Sequence, residues 1–106
     1  MSSSAFVLFL LIHLHFPDAG SLKGKRKELA SVKAQLHTRL GMAVAEVDHQ
    51  DLWQRSTLAA AMPGSSIAVL ERIADNVERW LEARFPDGVR VERTLASIND
   101  LDGGLR

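Results

Sequence analysis

The side chains able to do chemistry concentrate in one stretch, Ala45-Glu46-Val47-Asp48-His49-Gln50-Asp51-Leu52-Trp53-Gln54-Arg55, where carboxylates, an imidazole, an indole and a guanidinium stand between runs of small apolar residues. Two further imidazoles, His13 and His15, close an apolar run near the start of the chain, and Lys23, Lys25, Arg26 and Lys27 crowd a short basic segment. Nitrogen and oxygen donors of this kind suit a divalent cation, but the spacing of His13, His15, Asp48, His49 and Asp51 matches no recognised ligand pattern, so neither a metal nor another cofactor is expected. Acid–base work by His49 with Asp48 or Asp51 would need an enclosing pocket. Ser56 and Thr57 come without a nucleophile elbow or an oxyanion-hole signal, and no glycine-rich phosphate loop is present. The catalytic set is empty, and the chain reads as a non-enzymatic binding protein.

Nucleic acid is the partner these residues suit best. Lys23, Lys25, Arg26, Lys27, Arg55 and Arg90 would form a basic rim for phosphates, and Trp53 or a histidine could stack on an unpaired base. The candidate binding residues are therefore Lys23, Lys25, Arg26, His49, Trp53 and Arg55. The plain structural alternative has Trp53 packed beneath its hairpin and Arg55 paired with Asp48 or Glu46. Free backbone N–H groups at the start of the basic segment would also make an anion site, suited to phosphate, if a helix begins there.

Composition bounds these readings. At 106 residues and 46% hydrophobic, the chain can bury one core without a metal or disulfide staple. Thirteen basic residues balance thirteen acidic ones, so only local clustering of charge can direct a partner. The absence of cysteine removes disulfide and thiolate chemistry and suits a cytoplasmic protein. Ala5 to Ile12 has the look of a secretory segment, but no Lys or Arg precedes it, His13 and His15 interrupt it, and Phe16-Pro17-Asp18-Ala19-Gly20 is a poor cleavage site. It is also too short to cross a bilayer as a helix, and no membrane role is expected.

The elements that must position these residues follow from periodicity. Phe6, Leu8, Leu10, Ile12, Leu14 and Phe16 alternate with Val7, Phe9, Leu11, His13 and His15, as in a strand covered on both sides along most of its length. Ser21 is a good N-cap for a helix over 22–40 with Leu29, Val32, Leu36 and Leu40 inward, and Gly41 ends it. A strand over 42–48 puts Glu46 and Asp48 on one face. The tip 49–54 then leads to a strand over 55–62, whose Ser56, Leu58, Ala60 and Met62 side faces the core. Pro63-Gly64-Ser65-Ser66 turns into a second helix with Leu70, Ile73, Val77, Trp80 and Leu81 inward and an Asp75–Arg79 pair outside. Phe85-Pro86-Asp87-Gly88 stops it, 89–98 forms an edge strand, and 99–106 is a flexible tail.

This order, strand-helix-strand-strand-helix-strand, is an α+β, ferredoxin-like sandwich: one domain over 5–98, with a four-stranded antiparallel sheet and both helices on one face. The topology brings His13, His15, the basic helix start, the hairpin tip and Arg90 to the same end of the sheet. It also leaves Val7, Phe9, Leu11, Ala59 and Ala61 as an apolar patch on the uncovered face, which favours a homodimer or a protein partner as the alternative function. With Ala59, Ala60 and Ala61 in the third strand, the sheet lacks the stacking aromatics of an RNA-recognition motif.

Three stretches together, the apolar first strand ending in His, Ser21-Leu22-Lys23-Gly24-Lys25-Arg26, and Ala45 through Arg55, resemble the bacterial YlxP-like family, a small domain of unknown function. The resemblance implies a ferredoxin-like fold and a cytoplasmic protein. Its members are often encoded beside translation and ribosome-maturation factors, which points toward RNA or a ribosomal component as partner. Where that family usually has Glu between the two basic residues, this chain has Gly24, so the helix start loses the return half of a capping box.

Overall fold

A computed structural model describes residues 4–17 and 19–101. Its elements run β1 (Phe6–His15), α1 (Leu22–Leu40), β2 (Ala43–Asp48), β3 (Arg55–Gly64), α2 (Ile67–Arg84), β4 (Val89–Ser97) and a single turn α3 (Ile98–Leu101). The strands form one antiparallel sheet in the order β2-β3-β1-β4, the ferredoxin-like arrangement expected from the element order. β1 is central, pairing from Phe6 opposite Gly64 to His15 opposite Arg55 on one side, and from Phe6 opposite Ser97 to Leu14 opposite Val89 on the other.

The alternation of β1 explains the layers. Leu8, Leu10, Ile12, Leu14 and Phe16 are buried against Leu29, Val32 and Leu36 of α1 and Leu70, Ala74, Val77 and Leu81 of α2. Phe16 meets Phe85 edge to face at 5.5 Å between ring centroids and closes the core at the hairpin end. On the opposite side of the sheet no helix lies over Phe9, which is 42% exposed, and Val7, Leu11, Ala59 and Ala61 are half-buried around it.

Both helix starts are capped, the first by the serine the sequence suggests and the second by the last residue of the expected turn. The Ser21 hydroxyl accepts from the Gly24 N–H at 3.1 Å, and Ser66 serves Val69 likewise. Gly41 adopts φ 70° and donates its N–H to His37 O, the left-handed stop that a residue with a Cβ resists.

Four local expectations give way to tertiary packing. A register shift between Glu46 and Asp48 sets Glu46 opposite Leu58 and Asp48 opposite Thr57, so the two carboxylates lie on opposite faces of the sheet. The extra residue of a bulge reverses the alternation beyond it. β3 runs through Pro63 and Gly64, because these still face Val7 and Phe6 of β1. Asp75 pairs across to Arg93 of β4 at 3.0 Å, which also holds Glu78, while Arg79 bonds Asn76; a cross-element partner displaces the helical pair. The hydrogen bond to Glu78, then that to Asp75, raises the Arg93 pKa further above its already high range and pins β4 to α2. Of the tail expected over 99–106, residues up to 101 continue a helical turn capped by Ser97 and Asp100, and 102–106 lie outside the described residues.

Candidate binding site at the hairpin end

The ends of β1 and β3, the start of α1, the 49–54 tip and the start of β4 meet at one pole. His15 N–H donates to Gly88 O and Phe16 N–H to Gln54 O, each at 2.8 Å, tying β1 to both neighbouring segments. Gly88 is required at its place, since a Cβ there would stand 2.5 Å from the Cβ of His15. The predicted gathering of these segments is therefore what the fold produces.

Within it, polar side chains divide into two sets on either side of the sheet. Beneath the helices, Lys25 is 1% exposed, and its Nζ donates to His49 O at 2.6 Å and lies 3.1 Å from Glu46 Oε2. Ser56 donates to the same carboxylate oxygen at 2.6 Å. Lys25 thus belongs to the inward stripe, continuing Leu29, Val32 and Leu36 at helical spacing, and it is withdrawn from the expected basic rim. Its partner carbonyl belongs to the one non-glycine residue with positive φ among the described residues, His49 at 64°. An ammonium bonded to that carbonyl, a Leu52 N–H to His49 O bond at 3.2 Å and an Asp48 side chain accepting from the His49 N–H at 2.8 Å hold the left-handed turn in place.

On the open face, His49 Nδ1 lies 3.2 Å from Thr57 Oγ1, which lies 3.3 Å from His13 Nδ1. His13 Nε2 contacts Glu92 Oε2 at 2.7 Å, and Arg90 stands 3.6 Å from the same oxygen. An ionised carboxylate only accepts, so His13 Nε2 carries a proton. With neutral imidazoles, Thr57 then donates to His13 and accepts from His49, giving every member of the chain a defined role. The hydrogen bond from His13 outweighs the opposing desolvation and, with the nearby Arg90 charge, holds the Glu92 carboxyl below its usual range. Thr57 is only 4% exposed, and no nucleophilic role attaches to a hydroxyl engaged on both sides.

Around these chains, a groove of about 570 Å³ is lined by His13, His15, His49, Arg55, Thr57 and Arg90, with Leu14, Ser56, Gly88 and Val89 completing its lining. Next to it the tip presents Trp53, 52% exposed, and Leu52, with Asp51, Gln54 and Arg55 around a shallower hollow. Neither part of the plain alternative holds: Trp53 is not packed beneath its hairpin, and among the described residues Arg55 makes no ion pair, with Glu46 turned to the opposite face and bonded to Lys25. Lys23, Arg26 and Lys27 are exposed on the outer side of the α1 start. The N–H groups of Gly24 and Lys25 are taken by Ser21, which removes part of the expected backbone anion site.

Of the six candidate binding residues, five reach the surface at this end: Lys23, Arg26, Trp53 and Arg55 are exposed and His49 is partly so. The candidate set leaves out His13, His15 and Arg90, which sequence reasoning brings to this end without naming them as binding residues, and also Thr57 and Glu92. Thr57 shares the outward parity of β3 with Arg55, and Glu92 shares that of Arg90 on β4, so alternation carries a signal for both. Among the described residues no three His, Asp or Glu side chains converge to hold a metal, and no helix is long and apolar enough to cross a membrane.

With this geometry in view, the family profile described as "Protein of unknown function (DUF503)" matches residues 7–94, which contain every groove residue named above. The chain belongs to this family. The uncharacterized protein YlxP of Bacillus subtilis (strain 168) is 32% identical over 78 residues, covering 74% of this chain and 80% of that protein. The resemblance drawn from the first strand, the basic segment and the hairpin motif is therefore sound. Among solved structures, the de novo designed protein Foldit4 superposes with a TM-score of 0.53 at 11% identity, over 85% of this chain and 96% of that one. At that identity the likeness concerns the fold alone.

Proposed function

We propose that this family member is a cytoplasmic, non-enzymatic binding protein that engages single-stranded RNA, such as an unpaired segment of a ribosomal particle, through its hairpin tip. The observation that carries this reading is Trp53, an indole half in water at the point of a hairpin bonded from behind by Lys25, with Arg55 beside it. An exposed indole next to a guanidinium offers a stacking surface for a base and a fork for its phosphate. Lys23, Arg26 and Lys27, exposed on the flanking helix start, extend the path for the backbone. Lys25 acts only by supporting the tip.

The test uses a Trp80→Phe background, in which Trp53 is the remaining indole, and short RNA strands at low salt. Trp53 fluorescence is expected to quench on binding, and Trp53→Ala to weaken binding by roughly 5- to 150-fold, the span of about 1–3 kcal/mol per stacked base. Charge reversal at Lys23, Arg26 and Arg55 should lower the salt slope by about 0.7 for each phosphate that is no longer neutralised. Binding that ignores salt and survives both sets of changes would sink the reading, as would a protein that travels free of ribosomal particles during sedimentation of lysate.

A second reading rests on Phe9, exposed in the middle of Val7, Leu11, Ala59 and Ala61 on the bare sheet face. Two copies packed sheet to sheet would cover this patch. Size exclusion across a dilution series distinguishes the two, because a strict monomer at all concentrations removes the dimer and leaves the tip untouched.

A further inference from the structure

We propose that the open-face groove is a binding site for a tetrahedral oxyanion of the phosphate class, held by Arg55 and Arg90 from opposite walls and by the imidazoles of His15 and His49 between them. The site does not rest on RNA binding by the tip; a protein with no affinity for RNA can still hold a phosphate here.

The walls come from separate segments. Arg55 opens β3, Arg90 stands second in β4, His13 and His15 project from β1 between them, and His49 approaches from the hairpin. Pairing of His15 opposite Arg55 and His13 opposite Arg90 fixes their order across the sheet. The side chains of Arg55, Arg90, His15 and His49 are donors when protonated, which matches an acceptor-rich ligand reached from several sides, while His13 adds only its position and charge. A metal would need free imidazole lone pairs, yet His13 is committed to Glu92 through Nε2 and to Thr57 through Nδ1.

The surrounding charges make occupancy depend on pH. Arg55 and Arg90 are offset by Asp48 and Glu92, which contact His49 and His13 respectively. Asp51 from the tip and Asp87 from the loop before β4 share neighbouring hollows with His15, and the hollow of Asp87 extends to Glu28 of α1 and Arg84 of α2 around the end of the sheet. Lys25 lies behind His49 and is neutralised by Glu46. With the imidazoles neutral, the groove has no net attraction for an anion, and each proton taken up adds a full positive charge where the ligand sits. An oxyanion and imidazolium are therefore bound together, so affinity rises as the solution becomes more acidic.

Sulfate is the suitable first probe because its own charge stays constant over this range, followed by inorganic phosphate. Histidine side-chain nitrogen resonances of the intact chain should move on titration at about pH 6 and respond at least several-fold more weakly at about pH 8. Arg55→Gln and Arg90→Gln are each expected to weaken binding roughly tenfold, whereas Arg39→Gln, on the far end of α1, should leave it unchanged. Because Arg90 and Arg55 are exposed, these variants should retain the parent's far-ultraviolet spectrum. Tighter binding of a 5′-phosphorylated RNA than of its 5′-hydroxyl counterpart would assign the phosphate to a strand end; equal binding of the two strands alongside a response to free phosphate would assign it to a small phosphoester. Histidine resonances that stay still with millimolar sulfate at about pH 6, binding that persists when both arginines are replaced, or affinity that does not change with pH would each overturn the proposal. Sulfate binding in a protein that ignores RNA would remove the tip's proposed role and leave this one standing.

Discussion

The two faces of the sheet at the hairpin end hold similar chemical groups to different ends. On the helix side, Lys25, Glu46 and Ser56 form a closed set, with the ammonium enclosed and its bonds directed at one carboxylate and the His49 carbonyl. On the open side, His49, Thr57, His13 and Glu92 form a chain whose outer members reach water, His49 in the groove and Glu92 beyond it. Charge enclosed under helices is committed to architecture, because an unpaired ion there is costly. Charge on the open side is screened and can exchange partners. Both sets converge on His49, whose carbonyl serves the first and whose ring serves the second, so a change in either is felt at the tip.

The sharpest way to break this contrast is Lys25→Met. Glu46 would lose its cation and His49 O its donor, and stability should fall by about 3 kcal/mol, the low end of the range for a broken buried pair, since the Glu46 side chain stays 19% exposed. Urea unfolding measures it. The double change Lys25→Met with Glu46→Leu should recover most of that loss, because an apolar pair of similar volume replaces the ions; failure to recover would mean that Lys25 does more than satisfy charge.

A smaller effect is expected on the open side. Thr57→Val keeps the shape but removes the hydroxyl between two imidazoles, and should cost about 1–2 kcal/mol while altering the proton nuclear magnetic resonance titrations of His13 and His49 together. Independent, unaltered titrations of the two rings would show that the chain does not couple them.

The smallest change should come from Glu92→Gln. The Glu92 carboxyl is held low by His13 and Arg90, so its contribution to stability is present above the unfolded-state carboxylate pKa and disappears as pH falls through the lower folded value. The variant should thus match the parent in strong acid and fall slightly behind it from mildly acidic pH upward. A gap that widens toward acid would contradict the assignment of the hydrogen bond.

Much of this is legible from residue types and spacing. The apolar alternation of β1 marks the strand, although helices cover one of its faces and not both as the alternation suggests, Ser21 and Gly41 mark the limits of α1, and element order gives the sheet. The candidate site is partly legible: the segments are right, but residue type groups Lys25 with its charged neighbours, whereas its spacing to Leu29, Val32 and Leu36 places it inward. Unbroken alternation puts Asp48 on the face of Glu46, and a bulge interrupts it there. Bulges leave little mark in a single sequence, since they answer to the pairing strand.

What the sequence by itself determined is the set of elements and their inward faces, because side-chain periodicity and capping chemistry are local and depend on residues a few positions apart. Which carboxylate meets which cation, on which side of the sheet His49 presents its ring, and whether Trp53 is covered were decided only by tertiary structure. Those outcomes depend on distant strands coming into register, and a shift of one residue in pairing moves a side chain from the core to water.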